Sequence, residues 1–309
     1  GQDLSGRASR AERMTRADSA ARDRILVIGR SGQLAQALLE LDSGLVACGR
    51  DQFDLSRDDA GSLLDAHAPC AVINAAAYTD VNGAESDPEG AQALNCTGPA
   101  RLAAACKARG VRFLHVSTDY VFDGAAGGAP YKETARTRPL NVYARTKRNG
   151  EDAVITANED ALILRAAWIF DGRGGSFLNA ILNRLDNGLP LKVVQDQIST
   201  PTWAPDLANA LLRLARSETM PAGVFHFSGG PAASWFDFAR AAIRLAQPQL
   251  PVEPVIDPVD SSAFPQPAQR PLDTRMDAQA LLTATGIGPG DWRAGLPEVI
   301  SRRYEQRKG

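Results

Sequence analysis

Arg24-Ile-Leu-Val-Ile-Gly-Arg-Ser-Gly-Gln-Leu-Ala35 is the stretch that decides the fold. Ile25–Ile28 is a short, unbroken apolar run, the pattern of a strand buried on both faces in a parallel sheet. It stops at Gly29, and a helical pattern runs from Gln33 to Leu41. Gly29 and Gly32 permit a tight strand-to-helix turn in which a phosphate can approach backbone N–H groups at a helix N-terminus. The spacing is Gly-x-x-Gly-x-x-Ala, so the usual Gly-x-Gly-x-x-Gly fingerprint is incomplete, and a plain strand–turn–helix also needs glycine. Placement in the first β-α unit favours the cofactor loop.

Outward from this unit the alternation continues. Leu45–Gly49, Ala71–Asn74, Val111–Val116 and Ala161–Arg165 read as strands, and Pro88–Lys107 and Tyr143–Thr156 as helices. Repeated β-α-β units with right-handed crossovers predict an α/β fold with a doubly wound parallel, Rossmann-like sheet over residues 24–170. After Ile169 the regularity loosens. Asp171–Gly175 is a loop, Pro251–Pro271 carries six prolines, and helical pieces remain at Phe177–Asn187, Ala204–Arg216 and Trp235–Ala246. Residues 171–309 are expected to form mainly a smaller C-terminal substrate-binding lobe on the strand ends, partly interleaved with the first domain. Residues 1–23 mix arginines with acidic residues and hold almost no large apolar ones, which predicts a disordered extension, with Met14 a candidate natural start.

Bulk properties exclude several classes. The 309 residues are 44% hydrophobic and 23% charged, an ordinary globular balance. A net charge of −2 and a pI near 6.0 give no bulk attraction to nucleic acid or anionic membrane. No apolar run is long enough to span a bilayer and no signal-peptide pattern opens the chain, so a cytoplasmic location is expected. Cys48, Cys70, Cys96 and Cys106 lack metal-type spacing and read as reduced core thiols. His67, His115 and His226 fall in helical or buried-strand patterns and read as structural, so no metal site is expected from histidine.

Tyr143 and Lys147 lie four apart, so a helix projects both from one face. A cation beside a phenol favours the tyrosinate left after proton donation, which makes the pair a usable general acid. Solvated helices also carry Tyr-x-x-x-Lys by accident. At the end of the second strand stand Gly49, Arg50 and then Asp51. Arg50 can meet a ribose 2′-phosphate, favouring NADPH, with NADH still possible, and Asp54-Leu55 could border the adenine. Asn74-Ala-Ala-Ala77 leaves space for a flat cofactor.

These motifs, with Ser117-Thr-Asp-Tyr-Val-Phe122 between them, resemble in order the extended short-chain dehydrogenase/reductase family. Within it the chain resembles the dTDP-4-dehydrorhamnose reductases. That likeness rests on Gly32-Gln-Leu34, Ala75-Ala-Ala-Tyr-Thr-Asp80, Ala84-Glu-Ser-Asp-Pro88, Pro139-Leu-Asn-Val-Tyr143, Arg165-Ala-Ala-Trp-Ile-Phe170, Asp196-Gln-Ile-Ser-Thr-Pro-Thr202 and Arg270-Pro-Leu-Asp-Thr-Arg275. The resemblance implies NADPH-dependent reduction of the C4 ketone of dTDP-4-dehydro-L-rhamnose to dTDP-L-rhamnose. Tyr143 would donate the proton, Lys147 would stabilise the tyrosinate and bond the nicotinamide ribose, and Thr118 would hold the ketone or tune Tyr143. Gly29, Gly32, Gln33, Leu34, Arg50, Asp54, Leu55, Ala75, Ala76 and Ala77 would line the cofactor. Thr118, Asp119, Trp168 and Arg270 would meet the dTDP-sugar, Arg270 at its pyrophosphate.

Other members of the family set the alternatives. Dehydratases place Asp-Glu after the strand-four threonine, whereas Tyr120 follows Asp119 here. Epimerases carry a different Ser-containing motif. The regulatory subunit of methionine adenosyltransferase is similar too, and it binds a partner rather than turning over substrate. Some relatives dimerise through magnesium held by glutamates on the first helix and in the C-terminal lobe. The matching helix position is Ala37, with Glu40 a poor substitute, so a monomer or weak dimer is expected.

Overall fold

The computed structural model describes residues 24–174 and 176–305, so the expected N-terminal extension lies outside the described residues. The apolar runs become β1 (Ile25–Ile28), β2 (Val46–Cys48), β3 (Ala71–Asn74), β4 (Arg112–Thr118) and β5 (Leu162–Ala166). A sixth strand, β6 (Gly223–His226), comes from the second half of the chain. All pair in parallel in the order β6-β5-β4-β3-β1-β2. Because β1 is flanked by β2 and β3, the connections leave β1 and β3 toward opposite faces. That switch point opens a crevice beyond their carboxyl ends, where open parallel sheets bind ligands.

Successive side chains of a strand point to opposite faces, and the core divides accordingly. Ile25 and Val27 join a cluster with Leu34 and Leu38 of α1 (Gln33–Leu41) and with Leu207, Leu211 and Leu214 of α6 (Ala204–Arg216). Leu26 and Ile28 join the other side, with residues of α2 (Ala60–His67), α3 (Gly98–Ala108) and α4 (Val142–Ala157). Residues 204–226 therefore complete the first domain's sheet and its cover. The remaining lobe packs α5 (Phe177–Asp186), α7 (Trp235–Ala246) and α8 (Leu296–Glu305) around Phe170, Leu182, Phe238, Trp292 and Val299. Two short parallel strands, Leu191–Val194 and Ile256–Val259, lie beside it, so the proline-rich segment supplies an edge strand.

Pro88–Lys107 is not the single helix that its alanine-rich pattern predicts. A helix over Pro88–Gln92 widens into a π-helical turn at Ala93–Thr97 before α3 begins. The cause is Asn95, which is fully buried. Its Oδ1 accepts the Tyr78 N–H at 2.9 Å, and its Nδ2 donates to the Tyr78 carbonyl and to Thr146 Oγ1, each at 3.1 Å. The widened turn also brings the Asn95 carbonyl against Gly150 of α4, where an added Cβ would stand 2.0 Å from that oxygen. In an open helix interior, glycine-to-alanine stabilises by about 0.5–1 kcal/mol. Here the sign reverses: Gly150→Ala is expected to destabilise by roughly 1–3 kcal/mol as an overpacked contact. Urea unfolding measures it, and a raised midpoint would show that the two helices do not touch there.

Candidate active site

β1 ends at Gly29, whose φ of +105° suits glycine. A Cβ there would press to 3.3 Å on the backbone of Ala75 and Ala76. The Gly29 N–H donates to the Cys48 carbonyl and the Ala75 N–H to the Ile28 carbonyl, both at 2.9 Å, which ties three strand ends together. Gly32 caps α1 with no side-chain bond to the first turn, and no acidic residue occupies that turn. The helix N-terminus thus keeps its N–H donors and positive dipole end for an anion. Gln33 bridges outward, donating to the Ile169 carbonyl at 3.2 Å and accepting the Asp171 N–H at 2.9 Å. Gly32, Gln33, Leu34, Ala75, Ala76 and Ala77 all line one cleft of about 620 Å³, with Gly29 packed beneath it. A cradle of small residues on a bare helix N-terminus fits a dinucleotide pyrophosphate.

Arg50, Asp54 and Leu55 are placed differently. None of them walls that cleft. Arg50 is largely exposed, and its Nε lies 3.3 Å from Asp54 Oδ2. Asp54 is buried inside its own turn, accepting the Ser56 hydroxyl at 2.6 Å and the Ser56 N–H at 3.0 Å. The Ser56 hydroxyl leads the groups that hold this carboxyl below its usual range. Leu55 is a core residue whose carbonyl accepts Arg101 Nη2 at 3.0 Å. Arg30, which sequence reading passed over, faces the same turn and engages Gln52 and Asp51.

The reactive end lies on α4. Asn141 caps it by accepting the Ala144 N–H at 2.8 Å, and Tyr143 and Lys147 project from one face into the cleft beside Thr118, the last residue of β4. Lys147 is 2% exposed and donates to the Val116 carbonyl at 2.7 Å. The Thr118 hydroxyl donates to Asp119 Oδ1 at 3.2 Å and accepts the Tyr120 N–H at 3.2 Å. Burial dominates and pushes Tyr143 up to about 12, against the opposing bond from Thr118. Burial likewise pulls Lys147 down to about 8, with Glu151 working the other way. Asp119 is raised to about 6 by burial, although Thr274, Ser199 and Thr118 all offer it hydrogen bonds.

Trp168 also lines the cleft, in a left-handed backbone conformation with φ of +47°. Its indole stacks on Trp235 of α7, ring centroids 3.5 Å apart and planes within 7°. Arg270 is not in this cleft. It lies in a second one of about 850 Å³, where Nη1 donates to Asn82 Oδ1 at 3.1 Å and to the Ala268 carbonyl at 2.9 Å. Thr79, Val81, Tyr120 and Trp235 line both clefts, so the two adjoin along these residues. Tyr120 stands edge-on to Tyr143 and lines the second cleft together with Arg270, linking the reactive group to it. Sequence reading missed Tyr120, Trp235 and Arg173 as wall residues. Trp235 reads locally as the first residue of an amphipathic helix, and only the tertiary fold turns it inward.

A parallel sheet with a small-residue cradle at its switch point, and a Thr–Tyr–Lys group at its carboxyl edge with the threonine and lysine buried and the tyrosine partly so, defines the extended short-chain dehydrogenase/reductase class. Within that class, residues 23–305 match the family described as the RmlD substrate binding domain, and the chain belongs to that family. The dTDP-4-dehydrorhamnose reductase of Aggregatibacter actinomycetemcomitans is 37% identical over 288 residues, covering 89% of this chain and 98% of the relative. The enzyme of the same name from Mycobacterium tuberculosis is 40% identical over 291 residues, covering 90% and 93%. A crystal structure of dTDP-4-dehydrorhamnose reductase from Bacillus anthracis in complex with NADP superposes with a TM-score of 0.82 at 27% identity. It covers 90% of this chain and 99% of that one.

The depressed ammonium can be measured without any ligand. Competitive acylation followed by mass spectrometry is expected to show Lys147 half-deprotonated near pH 8, where an ordinary lysine has 10.5. A midpoint at or above the ordinary value would contradict the burial argument.

Proposed function

We propose that this protein reduces the C4 ketone of dTDP-4-dehydro-L-rhamnose to the alcohol of dTDP-L-rhamnose, using NADPH. The observation that carries this is that the cleft holding Tyr143 and Thr118 adjoins a second cleft along Thr79, Val81, Tyr120 and Trp235, with Tyr120 edge-on to Tyr143. A nucleotide sugar lying across that junction would put its sugar at Tyr143 and its pyrophosphate toward Arg270, whose guanidinium can grip phosphate oxygens in pairs. The relatives' names as reductases of such a sugar support the same reading.

NADPH supplies the hydride when bound. Gly32, Gln33 and the first-turn N–H groups of α1 would hold its pyrophosphate, and Ala75–Ala77 would leave room for its flat parts. The chain's own task is the proton. Negative charge builds on the ketone oxygen as hydrogen arrives at carbon, and the Tyr143 O–H donates its proton to that oxygen. Thr118 donates toward the oxygen of the pair that carries charge, and the Lys147 ammonium stabilises the tyrosinate until solvent reprotonates it. Arg50 would add selectivity for a 2′-phosphate by swinging from Asp54, which its exposure allows.

We infer a monomer or weak dimer on similar grounds. Glu40 of α1 is engaged within the chain by Arg173 and by Arg302 of α8. Among the described residues no group of three or more His, Cys, Asp or Glu could hold a metal ion, and no helix is long and apolar enough to cross a membrane.

The test is turnover of dTDP-4-keto-6-deoxy sugars with NADPH by the purified protein. Tyr143→Phe is expected to bind NADPH normally and to lose roughly 10²–10⁴-fold in turnover, as for a lost general acid. Near-normal turnover in that variant would remove Tyr143 from the reaction. Intact cofactor binding without turnover in the unaltered protein would favour a non-catalytic, partner-binding role instead. Cofactor choice is tested separately. Arg50→Ala is expected to weaken NADPH about ten- to a hundredfold, the worth of one charge-assisted contact, and to leave NADH unchanged. Equal loss for both would make Arg50 structural.

A further inference from the structure

Tyr143, Lys147 and Glu151 are spaced by four along α4, so a single face of one helix carries a phenol, an ammonium and a carboxylate into the protein. Glu151 is 1% exposed. Its Oε1 accepts the Ser117 hydroxyl at 2.6 Å and Arg165 Nε at 2.8 Å, and its Oε2 accepts Arg165 Nη2 at 2.7 Å. Ser117 and Arg165 are register partners on β4 and β5, next to Thr118 and Ala166. The carboxylate therefore fastens the helix face to both strands that bear the reactive end.

We infer that Glu151 is a positioning residue for the reaction: it locks α4 onto β4 and β5 and sets a buried carboxylate one helical turn from the Lys147 ammonium. This rests on the catalytic reading of Lys147 given above. The other groups around the pair do not supply that negative charge. Lys147 is faced on its own helix by Tyr143, and from β4 by the neutral Val116 carbonyl and by His115. Burial holds His115 far below its usual value, so it is uncharged. Glu151 is faced by Arg148 of its own helix at 3.8 Å, by Ser117 and by Arg165. Behind Arg165 stand the Phe122 ring, His226 at 3.3 Å and, past His226, Glu133. His226 is held down to about 4 by burial and is likewise uncharged. Glu151 is thus the carboxylate that raises the Lys147 pKa against burial.

The test uses the full chain and reads Lys147 by competitive acylation, with the pH dependence of NADPH affinity beside it. Glu151→Gln is expected to move the Lys147 midpoint down by about one pH unit, as for loss of an adjacent opposite charge. Since that variant strands a buried arginine, the paired variant Glu151→Gln with Arg165→Met, which removes both charges at similar volume, guards against misfolding. It is expected to fold and to shift the midpoint in the same direction by a smaller amount. Glu151→Asp is expected to restore most of the original value. A midpoint unchanged in the folded paired variant, even with turnover lost, would assign Glu151 to packing alone and overturn the inference. A midpoint that moves while the pH profiles of NADPH affinity and of turnover stay fixed would instead count against Lys147 as the working cation.

Discussion

A helix can bury a tyrosine, a lysine and a glutamate in a row only where the sheet beneath it answers each one. Here β4 answers with the Val116 carbonyl and with the hydroxyls of Ser117 and Thr118, and β5 answers with Arg165. An unanswered charge at such depth costs several kcal/mol, so the docking of α4 admits little freedom. Everything chemical about the site follows from that docking. It sets the phenol beside a hydroxyl, keeps the ammonium dry, and points both at the crevice that the switch of strand order opens.

The second lobe is joined to this frame by polar contacts as well as by its own apolar core. Asp119, directly after Thr118, receives the hydroxyls of Ser199 and Thr274, which lie on segments of the C-terminal half. The Ile198 N–H donates to the Leu272 carbonyl at 2.6 Å, and the Thr274 N–H to the Ile198 carbonyl at 2.9 Å. The strand that carries the reactive threonine is therefore coupled to the loop that carries Arg270. The stacked indoles of Trp168 and Trp235 close the same junction from the other side, and Phe177 braces the second of them.

Much of this was legible in the residues. β1, α1 and β3 were readable because apolar runs and glycine punctuation are local signals, and the bounds of α6 and α7 followed from their amphipathic patterns. Tyr143, Lys147 and Thr118 could be joined because helical spacing and a strand end are sequence properties. Other features depend on what packs against them. The π-helical turn at Ala93–Thr97 exists because Asn95 must reach Tyr78 and Thr146. β6 is four residues contributed from beyond the start of the second lobe, so its place in the sheet is a matter of topology. Asp54 and Leu55 follow the second strand, where sequence reading looked for adenine contacts, yet the turn folds them inward to Ser56 and the core. The resting acidity of the tyrosine belongs with these. Spacing reveals a neighbouring cation, but burial, which is larger, shows only in three dimensions.

The hydroxyl-ringed carboxyl of Asp119 also makes the stability of the fold proton-linked. Its pKa in the fold is about 6, against 3.8 for an ordinary aspartate. The fold therefore binds this proton more tightly than the opened chain does. The stabilisation is whole below the ordinary value and is lost as pH rises through about 6. A shift of that size corresponds to roughly 3 kcal/mol between the two limits. Neutral solution leaves an ionised carboxylate buried in the seam between β4 and the Arg270 loop, held by the hydroxyls of Thr118, Ser199 and Thr274. The fold that carries this seam is thus more stable at mildly acidic than at neutral pH.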